Sequence, residues 1–188
     1  AIAYALYVSL MAAVFEEAGR FVAFKFFLTK HTDDNETAIS YGLGHGGIEC
    51  IIALGITQLQ YYAYAQLINQ NKIDTVINTL PDKASKTAMT ELINAIKDMT
   101  LSESLLAGGQ RFFIMFLQVA LSVLVFKAVR EVNNNRYIAI AIVLHTLGNI
   151  PAALYQRDVC PRLGSELFSI AYSCLLYTSD AADEARSV

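Results

Sequence analysis

Three pairs of polar residues stand four apart inside otherwise apolar stretches: Glu16 with Arg20, His45 with Glu49, and His145 with Asn149. Side chains at that spacing share one face of a helix. Glu17 adds a second carboxylate three residues before Arg20, and a further stretch carries Arg111 and Gln118, seven apart and so roughly on one face. Carboxylates and imidazoles are the side chains that transfer protons and ligate metal ions. Their setting is costly: a charged residue at the centre of a membrane helix costs about 2.5–3.5 kcal/mol. Four or five of them in a small bundle amount to on the order of 10 kcal/mol, which pairing, hydration or metal must offset because lipid cannot. These residues are therefore expected to converge on a bundle interior.

The stretches that must position them read as membrane spans. Of 188 residues, 55% are apolar and 16% are charged, where a soluble domain usually carries about a quarter charged residues. The net charge of -3 is mild, so no broad basic surface argues for nucleic acid. Blocks of roughly 20 mostly apolar residues, enough to cross the hydrocarbon, run from Ala1 to Leu28, Ala38 to Ile68, Gln110 to Val129 and Tyr137 to Tyr155, and a fifth begins near Glu166 and is cut short. Lys30 to Thr37 form the first loop and Asn133 to Arg136 a tight third one. Between Asn69 and Gly109, the segment Ser85 to Met99 sets Met89, Leu92, Ile93 and Ile96 at helical spacing, an amphipathic helix lying on the membrane or capping the bundle. The fold class is all-α, a polytopic transmembrane helix bundle of about four complete spans and a truncated fifth, with residues 1–173 forming one membrane-embedded domain.

Depth along the spans supports convergence. His45 lies eight residues past the first loop and His145 nine past Arg136, so both sit ~12–14 Å below the same face at ~1.5 Å per residue. Glu16, Glu17 and Gln118 approach that level from the other direction. Gly42, Gly44, Gly46 and Gly47 crowd one turn around His45, where small residues let neighbouring backbones approach. Lys30, Lys127, Arg130 and Arg136 flank the odd-numbered loops, which places those loops in the cytoplasm.

Both ends carry expectations of their own. The first residue is Ala1, already inside a hydrophobic segment, so sequence upstream is expected. Cys174 to Glu184 resembles a translated sequencing adapter of the transposase type, so residues 174–188 are set apart from the functional argument. Cys50 and Cys160 have no paired spacing and make neither a disulfide framework nor a cysteine metal motif.

Three ordered segments carry a family resemblance: Glu16-Glu17-Ala18-Gly19-Arg20, Tyr41 through Glu49, and His145-Thr146-Leu147-Gly148-Asn149. They resemble the YhfC family of intramembrane metalloproteases, within the wider superfamily of CAAX prenyl proteases and bacteriocin-processing membrane proteins. The shared pattern is a double glutamate with a basic residue, an aromatic four before a histidine, and a histidine four before Asn or Asp. The resemblance implies an integral protein of a bacterial cell membrane that cleaves peptide bonds of membrane-associated protein or peptide substrates. It implies Glu16 as general base on a water near His45, His145 and Asn149 as metal-binding or oxyanion-stabilising residues, and Arg20 as the charge that orients Glu16 and Glu17. His45, His145 and Glu49 together suit Zn²⁺ with one open position. Without metal, a desolvated glutamate could still serve as the base.

The third span departs from the family pattern, which carries Glu-Arg followed seven residues later by His. Here those positions read Gln110, Arg111 and Gln118. Gln is not a strong zinc ligand, so the substitution points to weaker metal binding or an inactive member. Two other function classes stand beside the protease reading. One is a non-catalytic membrane binding protein or chaperone on the same bundle; the other is a proton-coupled transporter, since intramembrane Glu and His also mark proton paths.

Overall fold

The computed structural model describes residues 1–28, 35–131 and 135–186, with side chains through residue 178. All regular structure among these residues is helical. Lys30, His31 and most of the first loop, and Asn133 and Asn134 of the third, lie outside the described residues. The chain divides into two compact units, one of residues Ala1–Ile48 with Gly109–Val188 and one of Glu49–Gly108.

Four helical runs are long and apolar enough to cross a membrane: Ile2–Phe27, Asn35–Asn69, Leu101–Arg130 and Arg136–Tyr155. The chain is an all-helical integral membrane protein. The first run is α1 (Ile2–Val22) extended by a π-helical turn, Ala23–Phe27. The second is α2 (Asn35–Cys50), a π-helical turn over Ile51–Ile56, and α3 (Thr57–Asn69). Short α4 (Ile73–Thr79) and α5 (Lys83–Asp98) follow, then α6 (Leu101–Arg130), α7 (Arg136–Tyr155) and α8 (Arg162–Arg186).

In the first unit, α1 buries Ala5, Ser9, Ala13, Glu17 and Arg20. Their spacing of four, four, four and three traces one helical face, and its small members let α7 pack closely along it. The face of α7 turned inward is equally small, with Ala141, His145, Gly148 and Ala153 buried. Helix α6 is the most enclosed element, with Leu117 through Val123 all buried. Its Leu121, Val125 and Phe126 form the apolar core with Phe24, Ala38 and Ala141 from the helices around it. Helix α2 meets α6 through two of its glycines. A Cβ on Gly42 would lie 2.6 Å from Val119 Cα, and one on Gly46 3.0 Å from Met115 Cα, whereas Gly44 and Gly47 have nothing within 4 Å.

Helix α8 packs on α7, and its Ser165, Ser169 and Ser173 are all buried. The Ser169 and Ser173 hydroxyls donate to the carbonyls one turn back, at 2.9 and 2.7 Å, so these buried polar groups stay satisfied. The Tyr172 hydroxyl donates to Leu144 O at 2.8 Å. This helix continues through Cys174 to Arg186, and it is not among the four runs apolar enough to span.

In the second unit, the polar stretch holds the expected helix as α5, Lys83–Asp98. Asp82 caps α5 by accepting from the Ser85 N–H at 2.8 Å, and these hydrogen bonds hold its carboxyl below the usual carboxylate range. The apolar side of α5 buries Ile93, and α5 packs on α3 and α4 within its own unit. Helix α4, absent from the sequence reading, supplies Ile73 to that small core.

Candidate active site

The paired carboxylates come from consecutive residues of α1, which helix geometry turns about 100° apart. Glu17 therefore points fully into the bundle, while the Glu16 side chain keeps 29% of its surface exposed. His45 reaches the same place from α2 and His145 from α7. Glu16 Oε2 lies 3.4 Å from His45 Nε2 and 3.6 Å from His145 Nε2. One carboxylate oxygen is thus faced by the same ring atom of two histidines from two other helices.

The second carboxylate fixes one of those rings. His145 Nδ1 donates to Glu17 Oε1 at 2.7 Å in a buried contact. With its proton on Nδ1, a neutral His145 turns a bare Nε2 lone pair toward Glu16. Lone pairs that face one another call for a cation between them, either a proton or a metal ion. His45 is held differently, its ring stacked at 6.0 Å on that of Tyr41, one turn back, and Tyr41 leans on Phe24 at 4.8 Å.

Arg20 is fully buried, and its partners explain how that is tolerated. Its Nε lies 3.5 Å from Glu17 Oε2, an ion pair longer than a hydrogen bond. One terminal nitrogen donates to Gln118 O at 3.0 Å and to the Ser122 hydroxyl at 3.1 Å. The other donates to the Gln118 side-chain oxygen. Gln118 and Ser122 stand four apart on α6, the spacing used above to find the other pairs. Applied to this helix, it would have found Ser122, which the sequence reading missed.

The structure thus brings Glu16, Glu17, Arg20, His45 and His145 into one connected group and adds Gln118 and Ser122. Glu49 follows His45 by one turn of α2, a helix unbroken from Asn35 to Cys50. With Glu16 and His45 it makes a Glu/His/Glu group of the kind that holds a metal ion. Asn149 follows His145 by one turn of α7 and is half-buried, and no hydrogen bond or ion pair among the described residues joins Gln110, Arg111 or Asn149 to the cluster.

Glu16, His45 and Glu49 offer the oxygen and nitrogen donors that a first-row divalent metal takes. Zinc–ligand bonds of about 2.0–2.1 Å in a tetrahedron leave donor atoms about 3.3–3.4 Å apart, close to the separations of Glu16 Oε2 from the two Nε2 atoms. A ligating histidine whose other nitrogen donates to a carboxylate, as His145 does to Glu17, is the usual outer-shell arrangement at zinc.

The sequence profile of the YhfC intramembrane metalloprotease family matches residues 1–166. A Bacillus subtilis (strain 168) protein named uncharacterized membrane protein YhfC is 33% identical over 156 residues, which cover 83% of this chain and 58% of that relative. The chain spans less than two thirds of the relative's length. No solved structure matches.

Proposed function

The chain belongs to the YhfC intramembrane metalloprotease family, and from that premise we propose that it hydrolyses peptide bonds of membrane-associated substrates at the Glu/His cluster. The carrying observation is the single carboxylate oxygen of Glu16 set against Nε2 of both His45 and His145. His45 and His145 through Nε2, with Glu49 one turn along from His45, would hold a zinc ion. Such an ion supplies an acidified water and polarises the substrate carbonyl.

The remaining work falls to the chain's own side chains. Glu16 Oε2 takes a proton from the attacking water as its oxygen bonds to the carbonyl carbon. The Asn149 amide, on the face of α7 that carries His145, donates to the oxygen that gains charge. Glu16 then returns its proton to the departing nitrogen as the C–N bond breaks. Glu17 holds the His145 ring, and Arg20 balances the two adjacent carboxylates in a region without bulk water.

A second reading has an observation of its own: Glu16 is a member, with His45 and Glu49, of the group that could hold a metal ion. The 3.4 and 3.6 Å separations also suit Glu16 as a direct ligand. One set of measurements separates the two: zinc content of the purified full-length protein, and cleavage of a membrane-spanning reporter peptide, for wild type, Glu16→Gln and His45→Ala. The base reading expects Glu16→Gln to keep zinc while losing activity about 10²-fold or more. The ligand reading expects zinc to be lost with the activity. Zinc-free protein that still cleaves would leave a glutamate base alone. Full cleavage by His45→Ala at normal folded yield would remove the enzyme reading in favour of a binding protein.

A further inference from the structure

We infer that Gln118, outside the proposed ligand set, is a positioning residue that acts on His145 through Arg20 and Glu17; the inference rests on the zinc-site reading above. Four buried side chains form a chain of contacts across three helices, hydrogen-bonded at both ends and joined in the middle by the Arg20–Glu17 ion pair. On α6, the Gln118 carbonyl and the Ser122 hydroxyl accept from one terminal nitrogen of Arg20, and the Gln118 side-chain oxygen accepts from the other. The Ser122 hydroxyl donates in turn to Gln118 O at 2.7 Å, so the acceptor cup is itself held in place. Both ends of the planar guanidinium fork are engaged, which fixes its rotation and aims Nε at Glu17 Oε2, 3.5 Å away. The other Glu17 oxygen accepts from His145 Nδ1 at 2.7 Å. Arg20 and Glu17 are fully buried and Gln118 and His145 are each 2% exposed, so bulk water is not available to substitute for a lost partner.

This gives the glutamine a physical reason. In the resemblance drawn from the sequence, position 118 corresponds to a histidine, and a neutral amide there reads at first as a vacated ligand. Its oxygen is instead committed to a buried cation. An amide oxygen accepts in every protonation state, whereas an imidazole nitrogen becomes a donor on protonation and would then oppose the guanidinium. Glutamine at 118 serves the outer shell of the site by anchoring the charge that orients Glu17.

The test is a mutant cycle on the full-length protein in detergent. Gln118→Leu, which keeps volume and the backbone carbonyl but loses the side-chain acceptor, and Gln118→Glu, which keeps a side-chain acceptor, are each made in the wild-type and Glu17→Gln backgrounds. Zinc affinity is measured by chelator competition, and site geometry by the absorption spectrum of the Co²⁺-substituted protein. Removing an outer-shell partner weakens metal binding about tenfold or more. That loss, with an altered Co²⁺ spectrum, is expected for Gln118→Leu; Gln118→Glu should restore affinity, and the Leu effect should vanish once Glu17 is Gln. Equal losses in both backgrounds, unchanged affinity in folded Gln118→Leu, or a rise in affinity for Gln118→His would overturn the inference. Wild-type protein that takes no zinc would defeat the zinc-site reading alone. The relay is then decided by the metal-free thermal midpoints of Gln118→Leu, His145→Ala and their double mutant: shifts that differ from the sum support it, and additive shifts overturn it.

Discussion

At the scale of single residues, the cluster is an arrangement in which no member can be changed in isolation. Glu16 faces two imidazoles, Glu17 joins an imidazole to a guanidinium, and Arg20 joins α1 to α6. Groups that act as a unit show strongly non-additive losses. We therefore expect Glu16→Gln and His45→Ala each to lower the cleavage rate about 10²-fold or more, and the double mutant to be no slower than the worse single. Reporter cleavage measured alongside folded yield checks this, and multiplied losses would count the two residues as independent. Much of this group was legible in the sequence because a spacing of four needs only a helix to become a shared face. The partner of Arg20 was not. Spacing within α6 paired Gln118 with Arg111 as readily as with Ser122, and only the rotation of α6 against α1 decides between them.

At the scale of helices, spans were readable because about 20 apolar residues have few alternatives to crossing a bilayer. What lay beyond reading was which small residues carry the contacts. Four glycines crowd the turn around His45, yet only Gly42 and Gly46 meet α6, and the other two open onto space. The difference follows from helical phase, since Gly42 and Gly46 share a face and Gly44 points away from it. Substitution should separate them. Gly42→Ala sets a Cβ 2.6 Å from the Val119 backbone, which cannot swing aside, and is expected to cost about 1–3 kcal/mol as overpacking. Gly44→Ala meets no neighbour and should gain up to about 1 kcal/mol of helix propensity. Thermal unfolding of the two variants in detergent is the check. Equal shifts would mean that α2 does not approach α6 through Gly42. The polar stretch was read in part: helical spacing showed α5, while short α4 has too few residues for its periodicity to emerge.

At the scale of the whole molecule, contacts inside the first unit mark two opposite ends of its bundle. Arg130, at the end of α6, donates to Asn35 at the start of α2, at 2.8 Å. Tyr4, near the start of α1, donates to Gln156 just past α7, at 3.2 Å. His45 lies ten residues into α2 and His145 nine past Arg136, so both are ~14–15 Å from the Arg130 end, near the middle of a hydrocarbon core ~30 Å thick. Lys127, Arg130 and Arg136 gather at that end, and Lys25 sits near the same end of α1, while Arg157 lies over the Tyr4 ring at the other. Cytoplasmic ends of spans carry the excess of Lys and Arg, so the Arg130 end is expected to face the cytoplasm. Single-cysteine variants of the full-length protein, with the native cysteines replaced, test this in intact cells using a thiol reagent that does not cross the membrane. Gln156→Cys, at an exposed position, should label from outside. Asn35→Cys should label only after the cells are opened. Labelling of Asn35→Cys in sealed cells would invert the molecule, and the proposed site would then lie ~15 Å below the outer face, with membrane-associated substrates reaching it from that side.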